Sequence, residues 1–185
     1  EPSLAALPGL PRPVIIDLCT GSGCIAISLA RSVPGARVFA TDRSAEALAV
    51  ARTNACRHGV ADRIRFLQGD LLAPLTGLDL FGTADLIAAN PPYVAAGEFA
   101  ALQPEVRDFE PEIALIGGPN GTEVAEQIVR AAPAYLRAGK PLIMEMGIGQ
   151  AATIRKIVEN DGAYAPPQIF KDLAGIERVI VAVKK

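Results

Sequence analysis

Asn90, Pro91, Pro92 and Tyr93 stand where an apolar run stops, in the stretch DLIAANPPYV at residues 85–94. An asparagine side chain offers one carbonyl acceptor and two amide donors. Proline fixes its own φ and has no amide hydrogen, so the Pro91 carbonyl is free to be aimed outward, and Pro92 stiffens the chain beyond it. The Asn90 side-chain oxygen and the Pro91 carbonyl can together receive both hydrogens of one planar NH₂ group. Tyr93 adds a flat face on which a planar amide or a nucleobase can stack. Such a clamp holds a nitrogen with its lone pair directed at a methyl donor. Methyl transfer from a sulfonium is an in-line displacement, to which a protein contributes alignment and exclusion of water. An amide nitrogen is a poor nucleophile because its lone pair is delocalised; two acceptors on its hydrogens polarise it and favour pyramidalisation. No classical general base is in sight, since the single histidine, His58, falls at a predicted helix end and reads as a surface residue.

A second constellation lies upstream. VIIDLCTGSGCIAISLA, residues 14–30, reads as a strand, a glycine turn and a helix start. Gly21 and Gly23 let the backbone turn sharply and approach a ligand, with the first helical amides facing it. Gly21, Gly23 and Ala26 satisfy the G-x-G-x-x-[GA] form, and Asp42 follows about twenty residues later at the end of the next strand, where a carboxylate can accept from both hydroxyls of a ribose. This pattern fits an adenosine ligand and leaves both a dinucleotide and S-adenosylmethionine open. Asp17, just before the turn, would repel a pyrophosphate. It can meet the ammonium of a methionine moiety, or it can steer the loop through backbone hydrogen bonds. Asp70, in FLQGDLL, can accept from an adenine amine with Leu71 against the ring; equally, Gly69-Asp70 can be no more than a turn.

The elements that must position these groups follow from the apolar pattern. Short apolar runs at 14–18, 37–41, 63–68, 84–89, 140–146 and 178–183 alternate with helix-period segments at about 24–32, 44–58, 121–137 and 149–161. That alternation predicts an α/β fold, a mostly parallel sheet with helices on both faces. Ser44 is the expected cap of the second helix and Gly59 its stop. Residues 93–120 form a long connection containing Pro104, Pro111 and Pro119, longer than a compact domain uses without purpose, and are expected to be a substrate loop. From Pro166 through Ala174-Gly175 to RVIVAV, two strands with a short connection predict an antiparallel C-terminal hairpin.

The chain has 185 residues, 18 basic and 20 acidic, and a formal charge of −2, which argues against a broad grip on nucleic acid phosphates. A length of 185 suits one domain, read as 14–185, with 1–13 a proline-rich linker remnant. No apolar run is long enough to span a membrane. Cys19, Cys24 and Cys56 lack the spacing of a zinc site and read as reduced thiols of a cytoplasmic protein. Nothing in the chain specifies an oligomer, and a monomer is slightly favoured.

DLCTGSGCIAISLA, TDRSAEALAVARTNA and DLIAANPPYV resemble motifs of the HemK/PrmC protein-(glutamine-N5) methyltransferases, which methylate the glutamine of the GGQ motif in peptide chain release factors. PEVRDFEPEIALIGGPNG, KPLIMEMGIGQ and KDLAGIERVI extend the resemblance over nearly all of residues 14–183, and these three are seldom shared by enzymes that methylate nucleic acid amines. The resemblance implies a Rossmann-like methyltransferase fold with a seven-stranded sheet. It implies S-adenosylmethionine as methyl donor, S-adenosylhomocysteine as product and a release factor as partner. Cys19, Thr20, Gly21, Ser22 and Gly23 would line the methionine end of the cofactor, Asp42 would hold the ribose, and Leu71 would lie by the adenine. Asn90 would touch cofactor and substrate, with Asn90 to Tyr93 forming the glutamine pocket and Glu110 and Pro111 in the loop beside it. Family members carry an N-terminal helical docking domain with no counterpart here, so the chain is expected to be the catalytic domain. A sister group that methylates a ribosomal-protein glutamine, and amino-methyltransferases of adenine or guanine, are the alternatives.

Overall fold

In the computed structural model, residues 10–185 are described. The first half alternates as expected: β1 (Val14–Leu18), α1 (Cys24–Ser32), β2 (Arg37–Asp42), α2 (Ala45–Arg57), β3 (Ile64–Gln68) and β4 (Leu86–Ala89). The long connection then contains β5 (Val94–Ala95), α3 (Pro104–Arg107), α4 (Glu112–Leu115) and β6 (Ile116–Gly118). After it come α5 (Glu123–Ala131), β7 (Pro141–Glu145), α6 (Ala151–Asp161), β8 (Gln168–Lys171) and β9 (Glu177–Val183).

Seven strands form one sheet in the order β3-β2-β1-β4-β7-β9-β8. The first five are parallel, and β9 runs antiparallel to both β7 and β8. Period-two alternation divides each strand between two cores. Ile16, Leu18, Ile87, Leu142 and Met144 face α5 and α6, whereas Ile15, Val38, Ala40, Leu86 and Ile143 face α1 and the Ala55 end of α2. With both faces covered, β1 is buried along its whole length. The linker reading of residues 1–13 falls, for 1–9, outside the described residues. Leu10 packs against the second core, and the Pro13 carbonyl accepts from Arg37 N at 2.9 Å.

Local chemistry sets the boundaries. Ser44 caps α2, its hydroxyl accepting from Ala47 N at 3.0 Å, and Gly59 ends that segment at φ 66°. The helix expected over 121–137 stops at Ala131, and residues 132–134 tighten into a 3₁₀ turn at Pro133, which has no amide hydrogen to continue the ladder. Asp85 stands outside β4 rather than in it. It is 1% exposed and accepts from Val14 N and Arg137 Nη1, both at 2.9 Å, fastening the amino end of β1 to the helix-side loop. The predicted hairpin is present, but β9 also inserts beside β7, so the last strand in sequence lies inside the sheet.

Candidate active site

Register brings the two constellations together. Leu18 pairs with Thr41 on one side and with Ala89 on the other, so the residues one step beyond, Cys19, Asp42 and Asn90, emerge side by side at the carboxyl ends of β1, β2 and β4. Asp42 pairs in turn with Gln68, which carries Gly69 and Asp70 to the same edge. β2 and β4 leave β1 in opposite directions, and this switch point is where open α/β sheets form their ligand crevice.

A cleft of about 210 Å³ opens there. Of the predicted residues, Cys19, Gly21, Asp42, Asp70, Leu71, Asn90 and Pro92 line it. The sequence reading missed Thr41 and most of the opposite wall. Pro111, which the resemblance had put in the loop beside the site, reaches the cleft together with Ile113, Ala114 and Ile116, which had not been named, joined by Val124 of α5. The available signal was the pair of isoleucines, Ile113 and Ile116, in a proline-rich loop.

Asp42 builds the floor. Its Oδ2 accepts from Gly21 N at 2.8 Å and its Oδ1 from Ser44 N at 2.9 Å, tying the glycine loop to the start of α2. An ionised carboxylate has about four lone-pair directions, so each oxygen keeps capacity for a ligand hydroxyl. Beside it the Thr41 hydroxyl is buried without a hydrogen-bond partner. Two non-glycine residues at the rim, Cys19 at φ 56° and Leu71 at φ 45°, hold left-handed conformations that cost about 1 kcal/mol each and gather at functional clefts. Burial and the nearby Asp42 and Asp17 carboxylates push the Cys19 thiol up to about 12, so it is protonated and unreactive.

The turn expected at Gly69-Asp70 is present, and it leaves Asp70 at the cleft. Gly69 at φ 149°, Leu71, and the bond from Ala73 N to the Asp70 carbonyl make a turn, and the turn also brings the Asp70 side chain to the cleft. Its partner Arg43 lies 3.8 Å away and both side chains are more than half exposed, a pair worth about 0–1 kcal/mol that leaves the carboxylate able to turn to a ligand.

Asp17, Thr20, Ser22, Gly23, Pro91, Tyr93 and Glu110 do not line the cleft. Asp17 is fully buried and its Oδ2 accepts from Thr20 Oγ1 at 2.6 Å and Ala26 N at 3.0 Å, so of the two roles expected for it the loop-steering one is built in these bonds. Gly23 packs on α2, where an added Cβ would sit 3.1 Å from Ala51 Cβ, and Ser22 is exposed beside Cys24 Sγ at 3.3 Å. The half-buried Tyr93 packs its ring against the backbone of Gly147, Pro91 is buried, and Glu110 is exposed at the end of the α3 turn. Asn90 is exposed, and neither its side chain nor the Pro91 carbonyl makes a protein hydrogen bond among the described residues.

Desolvation pushes the Asp17 carboxyl up to about 7, against which the bonds from Thr20 and Ala26 act only in part. The folded state therefore keeps a proton that the unfolded chain, at 3.8, has released. The stability this proton supplies is full below about pH 4, falls as pH rises toward 7, and is gone above it. Asp17→Asn preserves the acceptor for Thr20 and Ala26 and removes the titration. Melting temperatures taken between about pH 5 and pH 8 are expected to fall with pH in the native protein more steeply than in the variant; parallel curves would refute the assignment.

The methyltransferase small domain family matches residues 4–104 of the chain. The chain is similar to the release factor glutamine methyltransferase of Chlorobaculum tepidum, 44% identical over 174 residues, which are 94% of this chain and 58% of that protein. It is 45% identical over 167 residues to the enzyme of the same name from Synechocystis sp., covering 90% and 55%. The chain thus spans less than two thirds of the length of these curated relatives. Among solved structures, the ribosomal protein L11 methylase of Lactobacillus delbrueckii subsp. bulgaricus superposes at TM-score 0.65 with 24% identity, over 98% of this chain and 76% of that one. A methyltransferase from Pyrococcus furiosus superposes at 0.67 with 17% identity, over 97% and 80%. Both likenesses concern the fold, and they agree with the seven-stranded methyltransferase sheet that the resemblance implied.

Proposed function

The chain belongs to the methyltransferase small domain family, and from that premise we propose that it transfers a methyl group from S-adenosylmethionine to the side-chain amide nitrogen (N5) of a glutamine in a translation protein. The acceptor we assign is the GGQ glutamine of a peptide chain release factor, which places the reaction in the cytoplasm. The observation that carries the reading is the pair of uncommitted acceptors, the Asn90 amide oxygen and the Pro91 carbonyl, at the strand end adjoining the glycine loop. The names of the relatives support the choice of acceptor.

The cleft suits the cofactor. Thr41 has a buried hydroxyl without a partner, Asp42 keeps lone pairs beyond its two backbone bonds, and Gly21 faces open space, with nothing within 4 Å of where a Cβ would lie. When bound, S-adenosylmethionine supplies an electrophilic methyl on a sulfonium sulfur. Asp42 would hold the ribose, Leu71 would pack on the base, and Cys19 and Gly21 would line the methionine side. Asn90 and the Pro91 carbonyl accept the two amide hydrogens of the glutamine. They orient its nitrogen and favour the pyramidal geometry that frees the lone pair. The segment Pro111 to Ile116 lines the cleft, and a ligand seated against it would displace water from these polar contacts. We assign residues 93–120 as the substrate loop, since one end carries Tyr93 and the other end lines the cleft.

The test incubates the protein with methyl-labelled S-adenosylmethionine and, separately, a release factor, a ribosomal protein and short DNA or RNA, then maps the label by mass. Label on the GGQ glutamine is the expected result. Label on a nucleobase with none on protein would overturn the reading, and label on a ribosomal-protein glutamine would keep the chemistry and replace the partner.

A further inference from the structure

Gln150 lies 57 residues from Tyr93 in sequence, at the first position before α6, yet its side chain is built into the loop that carries the acceptors. Its Nε2 donates to the Tyr93 carbonyl at 2.8 Å and to the Gly121 carbonyl at 3.2 Å. Its Oε1 accepts from Gly147 N at 2.8 Å. The orientation of the amide is fixed by its partners, because two carbonyls can be met only by a donor and a backbone N–H only by an acceptor. Both Nε2 hydrogens are thereby used. One half-buried side chain joins three segments: the exit of β4, the turn before α5 and the exit of β7.

Glycines let the segments close on it. Gly121 has φ 75°, and a Cβ there would collide with the Tyr93 carbonyl and come within 3.0 Å of Gln150 Nε2. At Gly117 a Cβ would strike the carbonyls of Pro92 and Gly121, and at Gly147 it would lie 2.9 Å from Gln150 Oε1 and 3.2 Å from the Tyr93 ring. The loop bearing Asn90 and Pro91 therefore runs in a slot whose walls are backbone, with the Gln150 amide as the only side-chain tie among the described residues to the Tyr93 carbonyl.

We propose that Gln150 is a positioning residue for the transfer: by holding the Tyr93 and Gly121 carbonyls together it fixes the direction of the Asn90 side chain and the Pro91 carbonyl, without itself touching the cofactor cleft. The inference rests on the glutamine-methylation reading for its kinetic part and on geometry alone for the clamp. Gln150→Glu separates the clamp from a plain structural role. Glutamate keeps the acceptor for Gly147 N and favours the start of α6 through the helix dipole, but it turns a carboxylate oxygen toward two carbonyls. A role limited to the Gly147 turn or the helix start predicts that glutamate is tolerated.

Turnover on a glutamine-containing acceptor is expected to fall about tenfold in Gln150→Glu, with KM for S-adenosylmethionine within about twofold, because a misdirected acceptor pair costs alignment rather than cofactor affinity. Gln150→Met, which removes the amide without adding charge, is expected to show the same split and guards against an effect of charge on folding. Amide hydrogen exchange across Tyr93–Ala95 is expected to quicken in both variants, and this reading needs no activity. Native turnover in both variants overturns the positioning role, and unchanged exchange overturns the clamp. If the native protein methylates no acceptor while exchange quickens in the variants, the functional reading fails and the clamp stands.

Discussion

Asn90→Ala is expected to lower methyl transfer to glutamine by roughly a thousandfold while leaving the fold intact. The loss follows from what the residue is free to do. Its side chain makes no protein hydrogen bond among the described residues and is exposed at the end of a buried strand, so its removal orphans nothing. Stability should change by less than about 0.5 kcal/mol, as for surface substitutions away from special features. The rate is a different matter. With only the Pro91 carbonyl left, one amide hydrogen of the acceptor is unmatched, the nitrogen can rotate, and the polarisation that frees its lone pair is roughly halved. Removing a single preorganised polar group at a reacting centre costs about 10²–10³-fold in turnover, and here orientation is lost with it. Asn90 also lines the cofactor cleft, so binding of S-adenosylmethionine should weaken, but only by a few-fold. The check is single-turnover transfer beside a cofactor titration. Undiminished turnover would remove Asn90 from the chemistry.

Asp42→Ala should reverse that pattern, with cofactor affinity falling about a hundredfold. Asp42 ties the glycine loop to the start of α2 through Gly21 N and Ser44 N, while Asn54 farther along α2 donates to the Ser22 carbonyl at 3.0 Å. Hydrogen bonds to charged groups are worth about 1.5–3 kcal/mol each. Some of that is recovered by water in the open cleft of the free protein, but not once a ligand fills it. The ribose contacts vanish as well. Asp42→Asn retains one oxygen acceptor and should lose about tenfold. Calorimetric titration with S-adenosylmethionine or S-adenosylhomocysteine distinguishes the two variants. Equal and native affinity in both would mean that the ligand lies away from the β2 end.

Taken together, the two substitutions divide the cleft between binding and chemistry, and the division follows strand order. In the proposed reading, residues at the ends of β1, β2 and β3 would meet the cofactor and the end of β4 would hold the acceptor. The connection from 93 to 120 begins beside Asn90 and returns to line the same cleft with Pro111, Ile113, Ala114 and Ile116.

Much of this was legible in the chain. Apolar runs of five to seven residues separated by helix-period segments specify a parallel sheet, because only a strand covered on both faces can be apolar throughout. Ser44 and Gly59 bounded α2 by local chemistry alone. Gly21 and Asp42 could be paired as a loop and its acid because the turn and the next strand end lie one βαβ unit apart. In Asn90-Pro91-Pro92-Tyr93 the acceptors, the missing amide hydrogens and the aromatic face belong to the residues themselves.

Other features depend on which segments become neighbours. Asp17 reads equally well as a ligand contact or a loop anchor until its burial and its bonds to Thr20 and Ala26 are seen. Thr41 looks like one more strand residue until its hydroxyl is found buried and unpartnered. Ile113 and Ile116 join the cleft because β6 pairs with β5 and folds the connection back over the sheet. The sequence by itself determined the alternating strands, the glycine turn and the Asn90–Tyr93 acceptor motif, since strand periodicity, backbone freedom and donor count act over a few neighbouring residues. Only the tertiary structure decided that Gln150, 57 residues away from Tyr93, locks that motif in place, because a hydrogen bond between distant segments depends on how β4, β7 and the α5 turn pack, which no local pattern encodes.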